Sequence, residues 1–224
     1  MIRFNNSINS KNKKLLNLFS NIIRKIFGGD RIKRLSKMII YFSAKINKQK
    51  NKKIKILDFG CGSMEISKNL QNLNYVEKII GIDIHRSKFN EGKLQYMFID
   101  DFFKNNEEHF DMVFAIDVLH HIGIDTANEV LNRLSKISDN IVIKDHFEHG
   151  FFSRQLLRFV DFYANYAFDV NIPNKYFSYK TWDEVVTKSN LIEKERIQDF
   201  QQHDGLFNLI LNKKHHFVSH LKND

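Results

Sequence analysis

At 224 residues, 42% of them hydrophobic and 27% charged, the chain has material for one α/β domain with a good core and too little for two comfortable ones. Its single cysteine, Cys61, excludes an intramolecular disulfide and any cysteine-built zinc or iron–sulfur site within one chain, which fits a reducing, cytoplasmic setting. The net charge of +9 is uneven: residues 1–53 hold 15 of the 35 Lys and Arg against one acid, so this arm is +14 and the remainder −5, and any contact with anionic lipid or nucleic acid runs through the arm.

Taken in chain order, residues 1–12 are polar, after which Leu15, Leu16, Leu18, Phe19, Ile22, Ile23, Ile26 and Phe27 recur at helical spacing until Gly28-Gly29, which reads as a stop. This basic amphipathic helix can lie in a membrane interface, or pack its apolar face over the rest of the chain as a lid. A second basic helix, about 31–47, carries Ile32, Leu35, Ile39, Phe42 and Ile46, and the run 47–53 links it to the first strand. No apolar run reaches the roughly 18 to 20 residues needed to span a bilayer, and no signal-peptide core opens the chain.

The segment KILDFGCGSMEIS (55–67) reads as a buried strand ending in a glycine turn that opens a helix. Ile56, Leu57 and Phe59 supply the strand, Asp58 sits near its carboxyl end, and Gly60 and Gly62 let the backbone approach a ligand. Helix amides then face the anionic end of that ligand, as in a nucleoside-cofactor loop. Such a loop calls for an acid some 20 positions on at the end of a second strand, and Asp83 in KIIGIDIH meets that need.

Strands and helices then alternate: strand 54–59, helix 64–73, strand 78–84, a short helix or turn at 86–92, strand 94–99, strand 111–117, helix 125–137 with Asp125 as N-cap, and strand 140–145. A helix at 152–167, a loop with the single proline, Pro173, and a helix at 181–189 capped by Thr181 and Glu184 follow. Segments 192–200 and 215–221 complete the sheet as an antiparallel pair. In a parallel sheet of this kind ligands bind outside the carboxyl ends of the strands, which gathers Asp58, Gly60, Gly62, Asp83, Asp100, Asp101, Asp117, His120, His121, Asp145 and His146 around one cleft.

With D-F-G-C-G at 58–62, acids after the second and third strands, and F-D-M-V-F-A-I-D-V-L-H-H at 110–121, the chain resembles a class I S-adenosylmethionine (SAM)-dependent methyltransferase of the small-molecule type over residues 54–145. The resemblance implies an α/β, Rossmann-like fold: a seven-stranded, mostly parallel sheet with the last strand antiparallel, helices on both faces, a basic helical extension over 1–53 and a substrate-side insertion at 151–190 within a domain of 54–224. It implies SAM as cofactor, with Asp58, Gly60 and Gly62 lining the methionine part, Asp83 the ribose, Asp100 or Asp101 the adenine amino group, and the backbone up to Asp117 passing the sulfonium. Met64 stands where many members carry a third glycine.

For proton removal the candidates are His146, just past the fifth strand, and His121. Asp161, Tyr163 and Asn165 can contact substrate, or else cap and pack a helix. The aromatic stretch from Phe151 to Phe168 suits an apolar or aromatic acceptor, small or lipid-like, and suits core packing equally. No metal site is evident, the Asn-Pro-Pro-Tyr loop of adenine amino methyltransferases is absent, and radical chemistry on SAM lacks its three cysteines. A dehydrogenase would need Gly-x-Gly-x-x-Gly in the turn. The remaining alternative is a SAM-binding protein without catalysis, recruited to a membrane or nucleic acid by its basic arm.

Overall fold

Among the described residues, eight strands form a single sheet: β1 (Ile54–Phe59), β2 (Val76–Asp83), β3 (Asn90–Glu91), β4 (Leu94–Phe98), β5 (Met112–Ile116), β6 (Asn140–His146), β7 (Leu191–Ile197) and β8 (His216–Asn223). This computed structural model describes residues 10–87, 89–165, 171–203, 208 and 211–223, and of these the side chains of 10–29 and 164 lie outside the description. The strand order is β3-β4-β2-β1-β5-β6-β8-β7, with β4, β2, β1, β5 and β6 parallel. β8 runs antiparallel to both β6 and β7 and sits between them. The seven strands read from the sequence are present. The eighth, β3, is a two-residue strand antiparallel to the start of β4.

The order reverses at β1, which pairs β2 on one side and β5 on the other, so the crevice at the carboxyl ends of β1 and β5 is the place where such sheets take ligands. Successive residues of the central strands face opposite sides. On one face, Ile56, Ile79, Met112, Phe114 and Val142 bury against Leu35, Ile39, Phe42 and Ile46 of α1 (Ser10–Lys50). On the other, Leu57, Val113, Ile141 and Ile143 bury against Leu131 and Leu134 of α5 (Ile124–Ser135) and Trp182 and Val185 of α7 (Tyr179–Lys188). The remaining α-helices among the described residues are α2 (Glu65–Leu70), α3 (Ile99–Asn105), α4 (Leu119–Ile122) and α6 (Phe151–Asn165).

Four local readings of the sequence are corrected. Gly28-Gly29 does not end a helix: α1 runs unbroken for 41 residues, about 60 Å at 1.5 Å per residue. A glycine weakens a helix by about 1 kcal/mol but keeps its N–H, unlike proline, so the hydrogen-bond ladder passes through. Asp125 is not the N-cap of α5; Gly123 is, and Asp125 stands in the first turn, where a carboxylate still meets the positive end of the helix dipole. The cap of α7 is Ser178, whose side chain accepts from the Thr181 amide while Thr181 returns the bond. The strand read over 94–99 ends at Phe98, and Asp100 and Asp101 occupy the first turn of α3.

Candidate active site

The turn after β1 is built as its glycines require. Gly60 has φ +73° and its amide donates to Ile82 O at 2.8 Å; a Cβ there would stand 2.5 Å from Val118 Cγ2. Gly62 has φ +51°, and a Cβ there would meet nothing within 4 Å, so the backbone faces open space. Met64, in the position of the absent third glycine, adopts the left-handed conformation at φ 58° and is buried. The room it needs comes from β2, where a Cβ on Gly81 would lie 2.7 Å from Met64 Cε and 2.8 Å from Cys61 Sγ.

Two carboxylates flank this turn. Asp58 is buried and accepts from Ser67 Oγ at 2.6 Å; burial pushes its pKa up to about 7. Asp83 accepts from the Gly62 amide at 2.9 Å through Oδ2 and from the His85 amide at 3.1 Å through Oδ1. An ionised carboxylate has about four lone-pair sites, so each oxygen of Asp83 can still accept a ribose hydroxyl. The open backbone at Gly62 beside this carboxylate fits a nucleoside cofactor. Ile84, next in sequence, is 62% exposed, an apolar surface at the same strand end that the sequence reading passed over. Asp100 is exposed. Asp101 lies 3.4 Å from Arg86, whose guanidinium rests 4.1 Å over the Phe98 ring.

Asp117, just after β5 with φ 56°, is enclosed by Arg31, Lys144 and His146. Its Oδ2 takes Arg31 of α1 at 2.6 Å, and its Oδ1 takes Lys144 Nζ at 2.5 Å and His146 Nε2 at 3.2 Å. Burial works against its charge, but Lys144, His146 and Arg31 outweigh that and hold the carboxyl well below its ordinary range. Lys144 is completely buried. The other ring nitrogen of His146, Nδ1, is buried without a partner.

His120, which the sequence reading placed in the cleft without a role, lies at the centre of a second cluster. Its Nδ1 meets Asp145 Oδ1 at 2.6 Å, its amide donates to Asp145 Oδ2 at 3.2 Å, and its Nε2 stands 3.3 Å from Asp161 Oδ2. That last pair is within ion-pair distance but not aligned as a hydrogen bond. Burial opposes a charge on His120, yet the carboxylates of Asp145 and Asp161 prevail and hold its pKa up at about 10. His121 behaves oppositely: burial, reinforced by His120, pushes it down to about 4, and its Nδ1 meets Asn171 O at 2.9 Å. Asp161 also accepts from the Tyr176 hydroxyl at 2.5 Å. Tyr163 packs on Phe159 and Phe162, and Asn165 is the last residue of α6. Donor atoms of His120, His121 and Asp161 all lie within 4.8 Å of one another. Nothing in local spacing joins Asp161 to the histidine pair; only the return of α6 over the strand ends does.

A family model for the methyltransferase domain matches residues 27–192. No curated protein matches the chain. Among solved structures, a SAM-dependent methyltransferase from Clostridium acetobutylicum ATCC 824 is 11% identical with a TM-score of 0.58, over 96% of this chain and 99% of that one. The plantazolicin methyltransferase BpumL, in complex with a monoazolic desmethylPZN analog and SAH, is 14% identical with a TM-score of 0.59, over 96% and 91%. The magnesium protoporphyrin IX methyltransferase from Synechocystis PCC 6803 with bound SAH is 12% identical with a TM-score of 0.56, over 98% and 90%. At these identities the likeness is one of fold.

Proposed function

The chain belongs to the methyltransferase domain family, an enzyme family in which SAM is the methyl donor, and we propose that it methylates a small or lipid-like acceptor with His146 as general base. The observation that carries this reading is the dyad at the ends of β5 and β6, in which Asp117 holds His146 Nε2 at 3.2 Å and leaves Nδ1 unpartnered. A carboxylate 3.2 Å from one ring nitrogen favours the proton on that nitrogen and the lone pair on the other.

When bound, SAM supplies a methyl group on a sulfonium, whose departure leaves a neutral thioether. The protein's tasks are to align the acceptor and take its proton. Asp83 accepts the ribose hydroxyls, Ile84 offers the nucleobase an apolar face, and the bare backbone at Gly62 admits the methionine part beside Asp58. Asp100 and Asp101, at the start of α3, serve the rim of the adenine site. His146 Nδ1 takes the proton of a hydroxyl or amine, so that the freed lone pair of the acceptor forms the new bond to the methyl carbon. With its pKa near 4, His121 is a poor base, and its place in this reading is beside the acceptor.

Acceptor chemistry is read from α6, the first helix of the segment 151–190. Phe151, Phe152 and Phe159 are exposed on it, Phe152 by 88%, an arrangement that suits an aromatic or acyl-bearing molecule. The Arg31–Asp117 contact ties α1 to the cleft and supports a lid over a membrane anchor for the basic arm, though the side chains from Leu15 to Phe27 lie outside the described residues. Transfer of label from methyl-labelled SAM to a panel of phenols, carboxylic acids, amines and acyl lipids tests the proposal. The wild type should label at least one class, and His146→Ala should lower turnover by roughly 10²-fold with affinity for S-adenosylhomocysteine kept. Labelling unaffected by His146→Ala would remove the base, and SAM binding without transfer to any class would favour the non-catalytic reading.

A further inference from the structure

His120 and His121 on α4 and Asp161 on α6 stand together beside the dyad, and the methyl-transfer reading gives the three no common task. We propose that they form a binding site for a divalent transition-metal cation. Each offers one donor atom, and these atoms lie within 4.8 Å of one another. The tautomers are set from behind. His120 Nδ1 faces Asp145 Oδ1 at 2.6 Å and His121 Nδ1 faces the Asn171 carbonyl at 2.9 Å, and both partners are acceptors, so each Nδ1 carries the hydrogen. The nitrogen left to each ring is Nε2, where on His120 a cation replaces the proton that the two carboxylates hold there, and a carboxylate or carbonyl on the far nitrogen is the usual support of a metal-bound histidine.

The buried geometry points the same way. His120 Nε2, on a residue that is 1% exposed, has no hydrogen-bond partner although Asp161 Oδ2 is only 3.3 Å away. Two donor atoms 3.3 Å apart with no hydrogen bond between them can share a cation, since about 3.3 Å is the edge of a tetrahedron of 2.0–2.1 Å bonds. Tyr176 holds Asp161 in place through its hydroxyl. Two imidazoles and one carboxylate suit Zn²⁺, Fe²⁺ or Co²⁺ better than Ca²⁺ or Mg²⁺. A dication also balances the two carboxylates, Asp145 and Asp161, that meet at His120.

Three protein ligands leave a position for an acceptor oxygen. The His146 ring centroid is 5.3 Å from that of His120, so a hydroxyl held on the cation would have its base alongside, and the cation keeps its oxidation state throughout. That role rests on the proposed methyl transfer; cation binding does not.

The test uses the full chain stripped by chelator and titrated with Zn²⁺ or Co²⁺ alone, by calorimetry and by the visible absorption of bound Co²⁺. One cation per chain is expected. His121→Ala and Asp161→Asn should each weaken binding by at least about 10-fold, and Asp145→Asn by roughly 10- to 100-fold through the support it gives His120. His109→Ala, which alters an exposed histidine near Asp139, should change nothing. His121 is only partly buried, so its variant carries the test if a variant of the buried residues fails to fold. No binding up to roughly millimolar cation, or affinity unchanged in both His121→Ala and Asp161→Asn, would overturn the site. With neither donor nor acceptor present, failure of the methyl-transfer reading leaves this result intact.

Discussion

Asp117→Asn removes the negative charge that faces Arg31 and Lys144, and the structure sets how much that should cost. The carboxylate meets Arg31 at 2.6 Å, Lys144 at 2.5 Å and His146 at 3.2 Å. The Arg31 side chain is 30% exposed and can rehydrate, so its share is of the order of a surface pair, about 1 kcal/mol or less. Lys144 cannot rehydrate, because its side chain is 0% exposed, and burial already pushes its pKa below the ordinary lysine value; a buried pair broken on one side costs about 3–5 kcal/mol. We therefore expect Asp117→Asn to destabilise the protein by about 3–5 kcal/mol, most of it through Lys144. Lys144→Met should recover much of that in the double variant, since replacing both members of a buried pair with neutral groups is often close to harmless. Urea unfolding of the wild type, both single variants and the double variant gives the coupling directly. If Asp117→Asn falls within about 0.5 kcal/mol of wild type, or if the two changes simply add, the enclosed carboxylate is not what holds the ends of β5 and β6 together.

The two glycines of the cofactor turn should part company. Gly60→Ala meets Val118 at 2.5 Å and should cost about 2–4 kcal/mol of stability from overpacking and left-handed strain, whereas Gly62→Ala faces open space, should cost only about 1–2 kcal/mol, and should lose affinity for S-adenosylhomocysteine out of proportion to that. Equal binding losses per unit of stability, measured by denaturation and calorimetry, would refute the assignment of Gly62 to the ligand side. Asp58 is raised from 3.8 to about 7 in the fold, so the folded state holds its proton where the unfolded chain has lost it. Its contribution is greatest below pH 3.8, declines as pH rises toward 7, and amounts to roughly 2 kcal/mol between pH 5.5 and 7. Cofactor-free wild type should therefore lose that much relative to Asp58→Asn between pH 5.5 and 8, and parallel pH profiles would refute the shift. For the basic arm, weak pelleting with anionic vesicles together with impaired turnover on deletion of residues 1–29 is expected of a lid; strong, salt-sensitive pelleting with full activity of the truncated chain would show an anchor.

The sequence made some elements plain because their signals are local. The strand–turn–helix at 55–67 has its apolar run, acid and two glycines in one window, and Asp83 follows at the expected interval; the sheet then places Gly62 and Asp83 in hydrogen-bond contact. The helix α3 was missed because Tyr96 to Ile99 form one apolar run across the end of β4, although the paired acids at 100 and 101 are the composition of a helix start. Met64 shows the limit of a motif: the space that a third glycine would give is supplied instead by Gly81 on the neighbouring strand. Beyond the sheet the sequence said little. Arg31 reaches Asp117 across 86 positions and Asp161 reaches His120 across 41, and no periodicity marks contacts made by helices returning over strand ends. Asp117 accordingly read as a cofactor residue, while its neighbours in space make it the partner of His146 and Lys144.

The central claim is a SAM site on the carboxyl ends of β1 and β2, anchored by Asp83. Calorimetric titration of S-adenosylhomocysteine into wild type and Asp83→Ala tests it most directly. Charged hydrogen bonds of about 1.5–3 kcal/mol predict saturable one-to-one binding to the wild type and a loss of roughly 10- to 150-fold in a variant that stays folded. Absence of binding to the wild type, or equal affinity in the two folded proteins, would contradict the account.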